Sequence, residues 1–150
     1  MNAHIVATCI SDAKGERKRP VESVQLRTDH GIVDDGHAGP GHRQISLLAI
    51  ESIAKMQALG LDVDTGDFAE NLTTEGIDLP SLPIGTRLAS GEVLLEVTQI
   101  GKECHNRCAI YEQAGDCVMP KEGIFAIVLC DGQLQPGDPL EIVKAAGNIP

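Results

Sequence analysis

From Gly66 onward, glycines and prolines cut this chain into short aliphatic and β-branched runs, at Thr86 to Ala89, Glu92 to Ile100, Ile124 to Leu129 and Leu140 to Val143. Runs this short, bounded by turn formers, predict strands and leave little room for helices. His4 to Ile10 and Val21 to Arg27 read as two earlier strands. Only Ala49 to Leu59 has helical periodicity, with Ile50, Ile53, Ala54 and Gln57 on one stripe and Gly60 placed as a C-terminal stop. The segments Gly91 to Val97 and Gly137 to Val143 echo one another, each a glycine and an acid leading into Leu and Val. Each reads as a tight turn feeding a strand. The pattern predicts a mainly β chain, its C-terminal half an antiparallel barrel or sandwich.

A chain of 150 residues with 42% hydrophobic content buries one ordinary core, so residues 1–150 are expected to form a single domain. Aromatics make up 2% with no Trp, so aliphatic side chains must fill that core, and base-stacking sites for single strands are disfavoured. The formal net charge of -10 repels phosphate backbones and anionic membranes, which argues against nucleic acid and membrane partners. No signal peptide or long apolar run is visible, and a cytoplasmic location is expected. The five cysteines are then expected to be free, ligating or catalytic rather than paired. Cys9 and Cys130 fall inside apolar strands and read as core residues.

The densest chemistry lies in Ile100 to Ile110. Cys104 and Cys108 share a face in either helical or extended chain, so they can serve one site. Lys102, Arg107 and His105 surround them with positive charge and a proton acceptor, which favours thiolate and makes a sulfur nucleophilic or metal-binding. Small buried hydrophobes are the alternative. Cys104, His105, Cys108 and Cys117 together offer four zinc donors, although the spacing departs from the usual paired pattern.

Three other stretches bear on ligands. Lys14, Arg17, Lys18 and Arg19 crowd four of the twelve basic residues into six positions beside Gly15, either an anion site or a solvated loop. Thr28 to Arg43 is glycine-rich and carries His30, His37 and His42, which predicts a long loop, and within it Gly36 to Gln44, flanked by His37 and His42, reads as phosphate-cradling, metal-binding or merely turn-rich. Gly66 to Gly76 concentrates Asp67, Glu70, Asn71, Thr73 and Thr74 and reads as a loop lining a pocket. No P-loop, G-x-S-x-G or H-E-x-x-H motif occurs, so the common nucleotide-binding and hydrolase readings drop out.

Taken in order, several of these stretches resemble the MOSC domain, named for the C-terminal region of molybdenum cofactor sulfurase, in its short single-domain form. The resemblance is carried by Lys14-Gly15 with Pro20-Val21, Asp35 to Gly39, His42 to Leu48, Gly66 to Thr74, Val97 to Lys102, Cys104-His105 with Cys108, Glu122 to Ala126, and Gly137-Asp138. It implies a barrel-like β fold with a few short helices and long loops, a role around molybdenum cofactor or sulfur transfer, and an essential cysteine after the Glu92 to Ile100 strand. The family's Arg-Cys pattern points to Cys108 as the principal sulfur or metal ligand, with Cys104 as a resolving thiol or rival and His105 beside them.

A molybdopterin ligand carries a phosphate, which would give Lys14, Arg17, Lys18, Arg19, His37, His42 and Arg43 one purpose, anion capture, with Asn71, Thr73 and Thr74 available to hydrogen-bond the pterin or phosphate. The resemblance thus implies a sulfur carrier or cofactor-binding domain, or the cofactor-holding part of a reductase. Its partners would be a sulfur donor such as a cysteine desulfurase, a molybdoenzyme or an electron-transfer protein. The competing reading is a zinc-stabilised β-domain acting as a protein-interaction module.

Overall fold

The computed structural model describes residues 3–13, 17–36, 38–101 and 122–144. In chain order its strands are β1 (Ala3–Ile10), β2 (Arg19–Val21), β3 (Val24–Arg27), β4 (Gly31–Ile32), β5 (Ile45–Ala49), β6 (Leu72–Glu75), β7 (Arg87–Ser90), β8 (Val93–Ile100), β9 (Ile124–Cys130), β10 (Gly132–Leu134) and β11 (Pro139–Lys144). Helix α1 (Ile50–Ala58) follows β5 directly. Seven strands close a barrel in the order β1, β6, β5, β9, β8, β7, β11 and back to β1. Every pair in that ring is antiparallel except β5 with β6, which are parallel because α1 carries the chain from one to the other.

The two predicted echo segments are the turns and strands of β8 and β11, with Gly91 and Gly137 at positive φ. Along β8 the side chains alternate as a barrel wall requires: Val93, Leu95 and Val97 are buried, while Leu94, Glu96 and Thr98 are only partly so. The inner core is aliphatic, built from Ile5, Ile45, Leu47, Leu72, Leu88, Leu95, Val97, Ile124 and Leu140 among others. All five residues of β5 are buried, since α1 covers its outer face. Leu48, Ile53, Met56, Val63, Phe68 and Phe125 form that second, outer cluster, which takes both phenylalanines of the chain.

Four expectations need correction. The predicted strand Val21 to Arg27 is two elements: β2 pairs with the end of β1, and β3 turns away to a small sheet of β10, β3 and β4. The helix buries Ser52, Ile53 and Met56, whereas Ala54 and Gln57 are exposed. The polar stretch Gly66 to Gly76 is not wholly loop, because Leu72 to Glu75 is β6, part of the barrel wall. Cys9 is buried as expected, but Cys130 at the end of β9 is exposed. Among the described residues no helix is long and apolar enough to cross a membrane.

Candidate functional site

Lys14, His37, Cys104, His105, Cys108 and Cys117 lie outside the described residues. Arg17, Lys18, Arg19, His42, Arg43, Asn71, Thr73 and Thr74 lie within them, and they divide sharply by burial. Lys18, Asn71, Thr73 and Thr74 are buried, while Arg17, Arg19, His42 and Arg43 are exposed.

The buried group knits three loops to the end of β1. Lys18 Nζ donates to Asp35 Oδ1 at 2.8 Å and to Ser11 Oγ at 2.9 Å, and the Ser11 N–H reaches the same carboxylate oxygen at 3.1 Å. Burial acts to raise the Asp35 carboxyl, but the Lys18 ammonium and the Ser11 N–H outweigh it and hold the group below the usual carboxylate range. Asn71 Oδ1 accepts from the Ser46 N–H at 3.0 Å and from Ser46 Oγ at 3.2 Å, while Nδ2 donates to the Cys9 carbonyl at 3.2 Å. This side chain ties β1, β5 and β6 together. Thr73 Oγ1 donates to Glu70 Oε2 at 3.0 Å, and the Thr74 hydroxyl is buried with no hydrogen-bond partner among the described residues.

Glu70 is fully buried, and desolvation pushes its carboxyl up to about 7 against the opposing pull of the Gly66, Glu70 and Phe68 N–H groups and the Thr73 hydroxyl. The neighbouring Cys9 thiol is pushed up to about 12, first by burial and then by Glu70, so it stays protonated and unreactive. The Glu70 shift has a sign. Between the ordinary carboxyl value of 4.5 and about 7, the folded chain keeps a proton that the unfolded chain has released, so this group's contribution falls as pH rises through that window and is flat above it. Glu70→Gln is expected to remove that fall, on the order of 3 kcal/mol. Urea unfolding at several pH values between about 5 and 7 checks it, and a variant with the wild-type slope would count against it.

Of the exposed group, His42 and Arg43 come together on Gln99. A β-bulge in β8 sets Val97 opposite Ala126 but Gln99 opposite Phe125, leaving Thr98 as the extra residue. The Thr98 hydroxyl donates to the His42 carbonyl. Gln99 Oε1 then receives the Arg43 Nε–H at 2.9 Å and lies 3.0 Å from His42 Nε2, while Gln99 Nε2 donates to the Gly101 carbonyl at 2.9 Å. The Arg43 guanidinium lies over the Phe125 ring, 5.1 Å from its centroid. Behind it, buried Gln44 clamps the loop: its Nε2 donates to Asp29 Oδ1 and to the Gly41 carbonyl, each at 3.1 Å, and its Oε1 accepts the Val128 N–H at 2.9 Å.

Arg17 stands 3.8 Å from Asp67, and Arg19 3.3 Å from Asp12, both as exposed pairs of small energetic weight. Asp67 precedes Phe68, which shares the buried outer cluster with Phe125 beneath Arg43. The Gly101 N–H donates to the Gly123 carbonyl at 2.6 Å. That bond staples the two ends between which residues 102–121 run, immediately beside Gln99, His42 and Arg43. Among the described residues no three His, Cys, Asp or Glu side chains converge as a metal site.

Sequence reasoning gave no role to Gln99, Asp35 or Phe125, and it read Glu70 as one of the polar groups of a pocket-lining loop, whereas the carboxyl is buried. Gln99 stood in a stretch noted for its resemblance, without a role; a bulge leaves no mark in a composition pattern. Residues 34–141 match the family model described as the MOSC domain. No curated protein matches the chain. Among solved structures, the YuaD protein from Bacillus subtilis is 20% identical with a TM-score of 0.71, covering 93% of this chain and 94% of that one. YiiM from Geobacillus stearothermophilus is 22% identical at a TM-score of 0.70, covering 95% and 75%, and YiiM from Escherichia coli is 20% identical at 0.68, covering 99% and 73%. At these identities the likeness is one of fold.

Proposed function

Because this chain belongs to the MOSC domain family, we propose that it is a molybdenum-cofactor-related domain holding transferable sulfur, or the metal of that cofactor, on Cys108 with Cys104 beside it. The supporting observation is the staple from Gly101 to Gly123, which opens the cysteine-bearing stretch beside Gln99, the shared partner of His42 and the Arg43 guanidinium. Positive potential lowers a thiol's pKa and draws in anionic ligands, so the two features serve one purpose.

The described residues suit a phosphate-bearing cofactor in part. Among the described residues Arg43 commits only Nε, to Gln99, and Arg17 and Arg19 hold exposed guanidinium groups. These three, with His42, would hold the phosphate by charge-assisted hydrogen bonds. Lys18, Asn71 and Thr73 are engaged inside the barrel wall and would act by holding the loops. The Cys108 thiolate is a soft ligand of the kind that suits a sulfur-rich metal centre. When bound, the cofactor would supply oxygen-atom, sulfur-atom and electron transfer at its metal; the chain's own part is to grip the phosphate and present the thiolate.

As a carrier the chemistry balances without an added oxidant. The Cys108 thiolate attacks the outer sulfur of a donor persulfide, the new S–S bond forms as the old one breaks, and the donor cysteine departs as thiolate. Two measurements test the reading together: persulfide labelling after incubation with a cysteine desulfurase and cysteine, and metal and pterin analysis of protein from a molybdenum-replete host. Label or molybdenum on the wild type, reduced at least tenfold in Cys108→Ser with an unchanged melting curve, is the expected result. Absence of both sulfur and molybdenum would sink it. So would stoichiometric zinc with equal unfolding of the Cys104, Cys108 and Cys117 variants, the signature of a zinc-stabilised module.

A further inference from the structure

The amide of Gln99 is oriented by partners that admit no alternative. The Gly101 carbonyl only accepts, so the group 2.9 Å from it must be the Gln99 NH2; the Arg43 Nε–H only donates, so the atom 2.9 Å from it must be the Gln99 oxygen. That same oxygen is the atom 3.0 Å from His42 Nε2, and it has no proton to give. His42 must therefore be the donor. When the imidazole is neutral its proton is on Nε2, and Nδ1 keeps a bare lone pair.

We infer that Gln99 is a positioning residue that selects the Nε2–H form of His42 and, by holding His42 Nε2 and Arg43 Nε on one carbonyl oxygen, groups an imidazole with a bare Nδ1 lone pair and the Arg43 guanidinium in one cluster. The exposed imidazole has no other partner among the described residues, and stacking on Phe125 fixes the plane of Arg43. An acceptor next to a cationic donor reads a ligand that offers a proton next to an oxyanion. Hydrogen phosphate has both, and so has a phosphate monoester while it keeps its last proton, which it loses near about pH 6. A fully deprotonated tetrahedral dianion would set an oxygen lone pair against that of Nδ1. The inference rests on the proposed anion-gripping role of His42 and Arg43, and it narrows the ligand to an acid phosphoryl group.

The test uses the reduced chain, carrying neither sulfur nor cofactor, so it is independent of what Cys108 holds. Long-range nitrogen–proton spectra near about pH 8, where an ordinary imidazole is neutral, report the tautomer of each histidine ring. The expected result is a single Nε2–H form for His42 in the wild type and in Gln99→Glu, whose carboxylate also accepts, and a mixture in Gln99→Leu. Titration with inorganic phosphate and with sulfate, both doubly charged but only the first protonated, should shift the His42 resonances at about fivefold lower phosphate than sulfate. Gln99→Leu should erase that preference. An Nδ1–H form or a mixture in the wild type overturns the inference, as does retention of tautomer and preference in Gln99→Leu; equal response to the two anions, or to neither, overturns the ligand class. Loss of persulfide and molybdenum with the tautomer and preference intact would strike the cysteine reading alone.

Discussion

Lys18→Met is expected to cost about 3–5 kcal/mol of folding stability, which in a chain this size lowers the melting temperature by roughly 10–15 °C. Methionine fills the same volume, so the loss is electrostatic. Asp35 would keep its charge in a place where both side chains are wholly buried, stripped of its only cationic partner among the described residues, and Ser11 Oγ would lose the ammonium it accepts from. The effect has a pH signature. In the wild type the lowered Asp35 pKa contributes stability above the ordinary carboxyl value of 3.8, lost only as pH falls through the lower folded value. Without Lys18, burial pushes the group the other way, so the variant gains a proton on acidification and its deficit shrinks. Urea unfolding of both proteins at about pH 7 and about pH 4.5 gives the answer. An equal deficit at the two pH values would mean that the ion pair is not its source. Adding Asp35→Asn, which keeps an acceptor for Ser11, should recover most of the loss at neutral pH.

Gly66→Ala is expected to be comparably severe, about 4 kcal/mol or more, from sterics alone. Gly66 has φ +86, and a Cβ there would lie 2.2 Å from the Lys18 carbonyl oxygen and 3.3 Å from Cys9 Sγ. The oxygen belongs to backbone, held in turn by the bond from the Lys18 N–H to the Gly66 carbonyl at 2.8 Å, so neither chain can give way singly. Gly60→Ala supplies the control. Its φ is +93, yet beyond its chain neighbours no atom of the described residues lies within 4 Å of the added carbon, so only the conformational cost of about 1 kcal/mol should be seen. If the two alanine variants melt together, the close approach of the 66 loop to Lys18 is wrong.

The barrel was legible in the sequence because its strongest strands are aliphatic runs bounded by turn formers, and Val93 to Ile100 and Ile124 to Cys130 emerge nearly as read. Leu72 to Glu75 was hidden because three of its four residues are polar, and only the buried Thr73 and Thr74 facing Glu70 and the barrel wall make that composition a strand. The basic run misled in a different way. A lysine among arginines in a loop reads as solvated or ligand-binding, yet Asp35, seventeen residues on, draws Lys18 inward and leaves Arg17 and Arg19 outside. Local charge density carries no sign of a partner so far along the chain. Gly60 ended α1 where expected, its N–H bonding the Gln57 carbonyl at 2.9 Å, because that signal is local. Gln99 depends on a bulge, a register event between two strands, and so lies beyond any reading of one segment.

The ring of seven strands is completed only where Ala3 and His4 meet Leu140 and Pro139. In order of synthesis, the start of β1 must wait for the last strand of the ring, and until then a curved six-stranded sheet carries two raw edges, that of β7 and the Ala3–His4 end of β1, whose other end β2 covers. Folding should therefore be slow for a protein of this length, dominated by one late end-to-end encounter. A chain halted before Pro139 would offer those edges to its neighbours and assemble with them instead.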